Sequence, residues 1–281
     1  MLIFNTQAEL SAHLHRLPEP KSVGFVPTMG ALHDGHLSLL AESLKNNDIT
    51  VISIFVNPTQ FNNADDLAKY PRTLEADIAK IKNISNDIVV FAPSVDDIYG
   101  GDTKSEHFDF DGLENQMEGR FRPGHFDGVG TIVKRLFEIV KPDSAYFGEK
   151  DFQQLQIVRK LVSKYNIPVK IIGCPIHREA NGLAMSSRNE RLTSEKRAEA
   201  GFIFEALQKA KSAFASQSVS TVSQGVRKSF ANHPDFELEY FEIADETTLE
   251  PAHEKTDGKT YRAFIAVFAG KIRLIDTIAL N

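Results

Sequence analysis

The sequence has a single cysteine, Cys174, so it can form neither an internal disulfide nor a cysteine-only metal cluster. A basic excess is also missing: 32 lysines and arginines stand against 38 aspartates and glutamates, a formal net charge of −6. That balance argues against general nucleic-acid binding, which draws its affinity from neutralised phosphates, but leaves room for a local basic pocket around a small anion. No apolar run approaches the ~20 residues that span a bilayer. The start, Met1-Leu2-Ile3-Phe4-Asn5-Thr6, has no basic segment followed by an apolar one. Repeats and low-complexity tracts are absent as well. The expectation is a cytoplasmic protein with neither nucleic-acid nor membrane partners. What is present is an ordinary globular balance, 42% apolar and 25% charged over 281 residues, enough for one large domain with or without a small one.

Five short apolar runs end at turn residues: Val23 to Val26, Ile49 to Val56, Ile88 to Phe91, Ser144 to Phe147 and Val169 to Ile172. Between them lie helical patterns, with Leu37, Leu40, Ala41 and Leu44 in residues 36–45, Leu74, Ile78 and Ile81 in 72–82, and Ile132, Leu136, Ile139 and Val140 in 131–140. Uninterrupted apolar strands alternating with amphipathic helices predict an α/β fold, a Rossmann-like parallel sheet with helices on both faces. After about residue 190 the pattern changes. One helix is expected over 194–215 and another from Val219 to Ala231, followed by strands at Phe236 to Ile243, Thr260 to Phe268 and Ile272 to Ile278, the last two forming a hairpin at Ala269-Gly270. This reads as a smaller α+β C-terminal domain, with its boundary near 177–190.

In a parallel sheet the ligand binds beyond the carboxyl ends of the strands. After the first strand stands Pro27-Thr28-Met29-Gly30-Ala31-Leu32-His33-Asp34-Gly35-His36, and after the second Asn57-Pro58-Thr59-Gln60-Phe61. After the fourth stands Gly148-Glu149-Lys150-Asp151-Phe152-Gln153-Gln154, and beyond the fifth Met185-Ser186-Ser187-Arg188-Asn189. Between the third and fourth lies Arg122-Pro123-Gly124-His125-Phe126-Asp127-Gly128. A helix starting near Asp34 to His36 offers backbone N–H groups and a partial positive charge to an anion, and Gly30 and Gly35 allow close backbone approach. His33 and His36 there fit hydrogen-bond donation to phosphate oxygens as charge builds on them. The segment is neither a Walker loop nor a Gly-x-Gly-x-x-Gly fingerprint. Taken singly, each residue has a plainer reading. The two histidines also fit polar residues at a helix start, and a zinc pair lacks a further His/Cys pair at metal spacing. Lys150 also fits a solvated turn charge, and Gln60 or Gln154 a surface amide. The signal lies in the set.

That set, five segments in order over most of the chain, resembles the pantoate–β-alanine ligase family. His-x-Gly-His alone marks only the wider superfamily of nucleotidylyltransferases and class I aminoacyl-tRNA synthetases; Asn57-Pro58-Thr59-Gln60-Phe61 and Gly148-Glu149-Lys150-Asp151-Phe152-Gln153-Gln154 are far more specific. The resemblance implies that (R)-pantoate attacks the α-phosphorus of ATP to give a pantoyl adenylate and pyrophosphate. The β-alanine amine then takes the acyl group, releasing pantothenate and AMP. Met29, Gly30, Ala31, Leu32, His33, Asp34, Gly35 and His36 would line the ATP site, with His33, His36, Lys150 and Arg188 as the catalytic charge and donor set. Gly148 and Asp151 would face the ribose, with Glu149 between them also in the ATP site. Lys150 with Met185, Ser186, Ser187 and Arg188 would lie at the triphosphate, and His177 near adenine. Gln60, Gln154 and Asn57 would bind pantoate, Gln60 lying also near β-alanine. The family pattern further implies Mg²⁺ accompanying ATP, a homodimer, an ATP- and pantoate-binding domain over 1–176 and a lid domain over 177–281. The metal's protein ligands are left unassigned.

Two departures stand out from that pattern: His177 replaces a small aliphatic residue, and Asn181 stands where Asp is frequent. The alternatives are another adenylate-forming or nucleotidyl-transferring enzyme with the same His-x-Gly-His grip, or a silent nucleotide-binding protein. A tRNA synthetase is disfavoured by the acidic balance.

Overall fold

The computed structural model describes residues 1–18, 21–61, 63–231 and 233–281. The chain divides into two units, one comprising Met1–Gly148 and Gln154–Cys174, the other Glu149–Gln153 and Pro175–Asn281.

The first unit is built on six strands, β1 (Leu2–Phe4), β2 (Val23–Thr28), β3 (Ile49–Ile54), β4 (Val89–Phe91), β5 (Ser144–Gly148) and β6 (Lys170–Cys174). All pair in parallel, in the order β1-β4-β3-β2-β5-β6. Its helices are α1 (Gln7–His15), α2 (Asp34–Asn46), α3 (Ala64–Lys69), α4 (Leu74–Ile84), α5 (Val95–Tyr99), α6 (Met117–Phe121), α7 (His125–Val140) and α8 (Phe152–Lys164), of which the first two residues of α8 belong to the second unit. The strands read as continuous apolar runs because both faces are covered. Adjacent strand residues point to opposite faces: Phe25 meets Phe137 of α7 edge-on at 6.3 Å, whereas Val26 clusters with Leu39 and Leu40 of α2 and, along one row of the sheet, with Ile52 and Val90. From β2 the chain builds outward through β3 to β4 and then returns to place β5 on the other flank of β2. The order of winding therefore reverses between β2 and β5, which opens a crevice at their carboxyl ends.

β1 and α7 are among the elements of this unit that differ from the sequence expectation. β1 was not expected; its three apolar residues are too few to show a strand period, and it pairs with β4 while leaving Leu2 and Ile3 about half exposed. Helix α7 begins six residues before its expected start at 131, because Gly128 and Gly130 weaken the helical pattern for a packing reason. A Cβ at Gly128 would lie 2.4 Å from the Thr59 carbonyl oxygen, and one at Gly130 2.9 Å from the Phe110 ring.

The second unit holds three short or medium helices, α9 (Ser194–Glu199), α10 (Phe202–Phe214) and α11 (Val219–Phe230), and three antiparallel strands, β7 (Phe236–Asp245), β8 (Tyr261–Ala269) and β9 (Ile272–Ala279). β8 is central and almost wholly buried, and Gly270 closes the β8–β9 hairpin at φ 64°. Ile203, Leu207, Val222, Val226, Ile265 and Val267 share its core. The single helix expected over 194–215 is broken at Ala200-Gly201, where a Cβ on Gly201 would come within 2.3 Å of the Asn181 carbonyl oxygen. Glu149–Gln153 groups with this unit, whereas the sequence reading assigned all of 1–176 to the first domain. The cause is local: Arg262 pairs with Glu149 at 3.5 Å and its guanidinium lies 3.9 Å from the centre of the Phe152 ring, which also meets Phe264.

Candidate active site

Beyond β2 the chain makes a turn that few sequences tolerate. The Thr28 hydroxyl donates to the Ser53 carbonyl at 2.7 Å and accepts the Gly30 N–H at 3.2 Å. Gly30 (φ 82°) and Ala31 (φ 50°) are both left-handed. For alanine that conformation costs roughly 1–2 kcal/mol, so something must hold it. The holder is Asp77 of α4, fully buried, which accepts the Ala31 N–H at 2.9 Å, the Leu32 N–H at 2.7 Å and the Thr73 hydroxyl at 3.2 Å. Lys80, one turn further along α4, donates its ammonium to the Leu32 carbonyl.

This turn delivers His33 as the N-cap of α2. His36, on the first turn, accepts the His33 N–H on Nδ1 at 3.3 Å, and the two rings lie 4.0 Å apart between centres. With Nδ1 an acceptor, the neutral His36 ring carries its proton on Nε2 as a donor. Both imidazoles are half-buried at the positive end of a thirteen-residue helix. The arrangement suits anionic oxygens.

A second cluster follows β3, in the 3-10 turn Pro58–Gln60. Asn57, 1% exposed, donates from Nδ2 to the Gly128 carbonyl at 3.1 Å and to Gln60 Oε1 at 3.2 Å, and accepts the Tyr99 hydroxyl on Oδ1 at 2.6 Å. Gln60 Nε2 in turn bonds Met29 Sδ at 2.9 Å. The Gln60 carbonyl accepts from His125 Nδ1 at 2.8 Å, and Arg122 lies 3.3 Å from His125 Nε2 and 3.7 Å from Glu118. His125 is therefore buried in packing and polar contacts.

In the second unit, Lys150 sits in the 3-10 turn Glu149–Asp151, its ammonium 3.3 Å from the Asp151 carboxylate. A hairpin from His177 to Met185 carries the predicted triphosphate loop: the Met185 N–H donates to the His177 carbonyl at 3.0 Å, and Gly182 turns at φ 93°. The His177 side chain is exposed, so the departure at 177 leaves this backbone contact in place. The Asn181 amide donates to the carbonyls of Arg197 (2.8 Å) and Ala198 (3.0 Å), a role an aspartate, which has no donor, cannot fill. Arg178 underpins the hairpin with two bonds to buried Asp276, at 2.6 and 3.0 Å, and its guanidinium stacks 3.6 Å from the Phe204 ring centre. Ser186 Oγ accepts the Arg188 N–H at 3.2 Å, and buried Asn189 ties the loop to Glu179 and the Ala184 carbonyl.

The structure thus joins Met29, Asn57 and Gln60 in one network and sets His33 against His36. Gly148 and Gln154 also lie in the first unit, with Gln154 half-buried on α8; Glu149, Lys150, Asp151, His177, Met185, Ser186, Ser187 and Arg188 lie in the second. Asp77, Lys80 and Tyr99 went unnoticed in the sequence. For Asp77 a signal was present, since it stands four residues before buried Ile81, on the apolar face of α4. Among the described residues, no three His, Cys, Asp or Glu side chains gather as a metal would need, and no helix is long and apolar enough to cross a membrane.

The sequence model of the family described as pantoate-beta-alanine ligase matches residues 2–279. A pantothenate synthetase of Flavobacterium psychrophilum is 62% identical over the whole of both chains, and one of Christiangramia forsetii 57% identical over 93% of this chain and 92% of its own. Among solved structures, the pantothenate synthetase of Thermus thermophilus superposes with a TM-score of 0.91 at 38% identity, covering 100% of this chain and 99% of that one. The pantoate-beta-alanine ligase of Francisella tularensis, complexed with β-γ ATP and β-alanine, gives 0.82 at 36% identity, over 100% and 98% of the two chains.

Proposed function

Since the chain belongs to the pantoate–β-alanine ligase family and is an ATP-dependent ligase joining pantoate to β-alanine, we propose that the residues described above divide the work as follows. Met29 to His36 receive ATP at the start of α2. A pantoate carboxylate oxygen bonds to the α-phosphorus and pyrophosphate leaves with the electrons of the cleaved P–O bond. The β-alanine nitrogen then bonds to the acyl carbon, AMP departs, and the amine's surplus proton passes to water. Adenylation needs no obligatory proton transfer, so His36 Nε2–H and His33 act as donors to charge building on the phosphates. Lys150 and Arg188 balance the departing pyrophosphate, with Met185, Ser186 and Ser187 as the rest of that loop. Gly148, Glu149 and Asp151 address the ribose, the His177 backbone the adenine, and Gln60, Gln154 and Asn57 pantoate.

The observation that carries this reading is the locked turn before α2: a left-handed alanine held by a buried carboxylate delivers two adjacent imidazoles, 4.0 Å apart between centres, to a helix N-terminus. The Francisella structure's two named ligands support ATP and β-alanine as the partners here. With no three-residue chelating group among the described residues, Mg²⁺ fits best as ATP's own companion, held by phosphate oxygens and water. A cytoplasmic homodimer completes the proposal; light scattering tests its mass.

ATP–pyrophosphate exchange with and without pantoate tests the chemistry. Exchange that needs pantoate is expected. Exchange indifferent to pantoate would point to another adenylate-forming enzyme, and none with any acid to a silent nucleotide binder.

A further inference from the structure

We propose that Tyr99 is a positioning residue: together with the Gly128 carbonyl it holds the Asn57 amide, and through Asn57 it helps fix which end of the Gln60 amide faces the substrate, so that the site selects a substrate oxygen accepting a hydrogen bond. The proposal rests on the pantoate reading above and extends it to a buried residue to which that reading gives no substrate contact.

An amide side chain can be turned end for end, and only its neighbours decide which atom points where. Here the decision starts at the main chain. The carbonyl of Gly128 can only accept, so the atom of Asn57 facing it at 3.1 Å must be the nitrogen. Helix α7 comes close enough because residue 128 has no side chain; a Cβ would meet the Thr59 carbonyl at 2.4 Å. The Asn57 oxygen then faces the Tyr99 hydroxyl at 2.6 Å, with the Thr59 hydroxyl at 3.2 Å beside it. Tyr99 is 5% exposed, and burial pushes its pKa above the ordinary value, so the hydroxyl keeps the proton it donates. The Arg135 guanidinium lies 4.7 Å from the ring centre and fixes the ring in place.

From Asn57 the polarity passes on. Its nitrogen also faces Gln60 at 3.2 Å, so that atom of Gln60 must be the oxygen, and the opposite end is the NH₂ group. His125 pins the Gln60 backbone from behind at 2.8 Å, so the side chain cannot swing as a unit. The Gln60 nitrogen bonds Met29 Sδ, a weak acceptor in the turn that receives ATP. A hydroxyl or carboxylate oxygen there is a better partner than a thioether. Pantoate supplies both kinds, whereas a group that only donates meets N–H against N–H and is rejected.

Tyr99→Phe removes the donor and keeps the ring. In pantoate-dependent ATP–pyrophosphate exchange it should raise the pantoate KM about 5- to 50-fold, about the value of one or two hydrogen bonds, with the ATP KM within about twofold. Pantoate analogues each lacking one hydroxyl give the sharper readout: the wild type should discriminate against at least one, and Tyr99→Phe should lose most of that discrimination. A folded variant with unchanged pantoate KM and discrimination overturns the proposal, as does a parallel rise in both KM values. If Tyr99→Phe does not fold, Asn57→Asp replaces it; its carboxylate still accepts from Tyr99 but cannot donate to Gly128 or Gln60. The same selective loss is expected, and normal pantoate use by that variant overturns the relay. A wild type whose exchange ignores pantoate removes the functional reading and the relay together, whereas a pantoate-dependent wild type with an indifferent variant removes the relay alone.

Discussion

The buried carboxylate of Asp77 holds the Leu32 N–H at 2.7 Å across 45 residues of chain, and with it the left-handed Ala31. The bond joins a helix with no proposed ligand contact to the turn that presents the histidines. Asp77→Ala should therefore destabilise the first unit by about 2–4 kcal/mol, the cost of stranding buried donors and freeing a strained turn. It should also lower kcat/KM for ATP by 10- to 100-fold with the pantoate KM nearly unchanged. Denaturant titration and steady-state kinetics check both parts.

His36→Ala removes one charge-directed donor from the helix start. Adenylation should fall by about 10²–10³, the usual loss for a single such donor, while circular dichroism stays that of the wild type. Pantoate-dependent exchange at near-normal rate would refute the assignment.

Arg178 and Asp276 form an enclosed ion pair in the second unit, with side-chain exposures of 17% and 3%. Burial pushes the Asp276 pKa up even beside its arginine. Arg178→Met leaves that carboxyl without its partner and should cost about 3–5 kcal/mol. Combining it with Asp276→Leu should recover much of the loss, because the uncompensated group is then gone. A double-mutant cycle by chemical denaturation measures the coupling.

Asp245 closes the turn after β7, accepting the N–H groups of Thr247 (2.8 Å) and Thr248 (3.0 Å) and pairing with Lys259 at 3.3 Å. Burial alone would raise its pKa, but these donors outweigh it and hold the folded value below the ordinary carboxylate range. The anion thus stabilises the folded state above about pH 4, and that contribution fades as pH falls through the lowered folded value. Asp245→Asn should be less stable than the wild type by about 1 kcal/mol at pH 7. The gap should close below pH 4; a gap independent of pH would contradict the assignment.

The parallel sheet was legible because β2 and β3 are largely buried and rich in Val, Ile and Phe, without the strict polar alternation of a one-sided sheet. The strand at Leu2–Phe4 was not, since three residues are too few to carry a periodicity. His33, Gln60, Lys150 and Arg188 stood out through motif and position after strands. Asp77 and Tyr99 did not: a lone aspartate, even in line with the apolar face of a helix, does not name its partner, and a tyrosine before Gly100 reads as ordinary packing. Their roles depend on partners 45 and 42 residues away, which only the fold brings near. Gly128 was visible as part of a motif, but its reason, a backbone contact with the turn after β3, belongs to tertiary packing.

The acceptor that orients Asn57 is the main-chain carbonyl of Gly128, and no codon change at 128 can turn an acceptor into a donor. Any larger residue there meets the Thr59 carbonyl, so that position offers evolution almost no neutral variants. A lineage, or an engineer, seeking to accept a differently substituted acid must therefore work at positions 57, 60 and 99, because the backbone at 128 stays an acceptor whichever of them is changed.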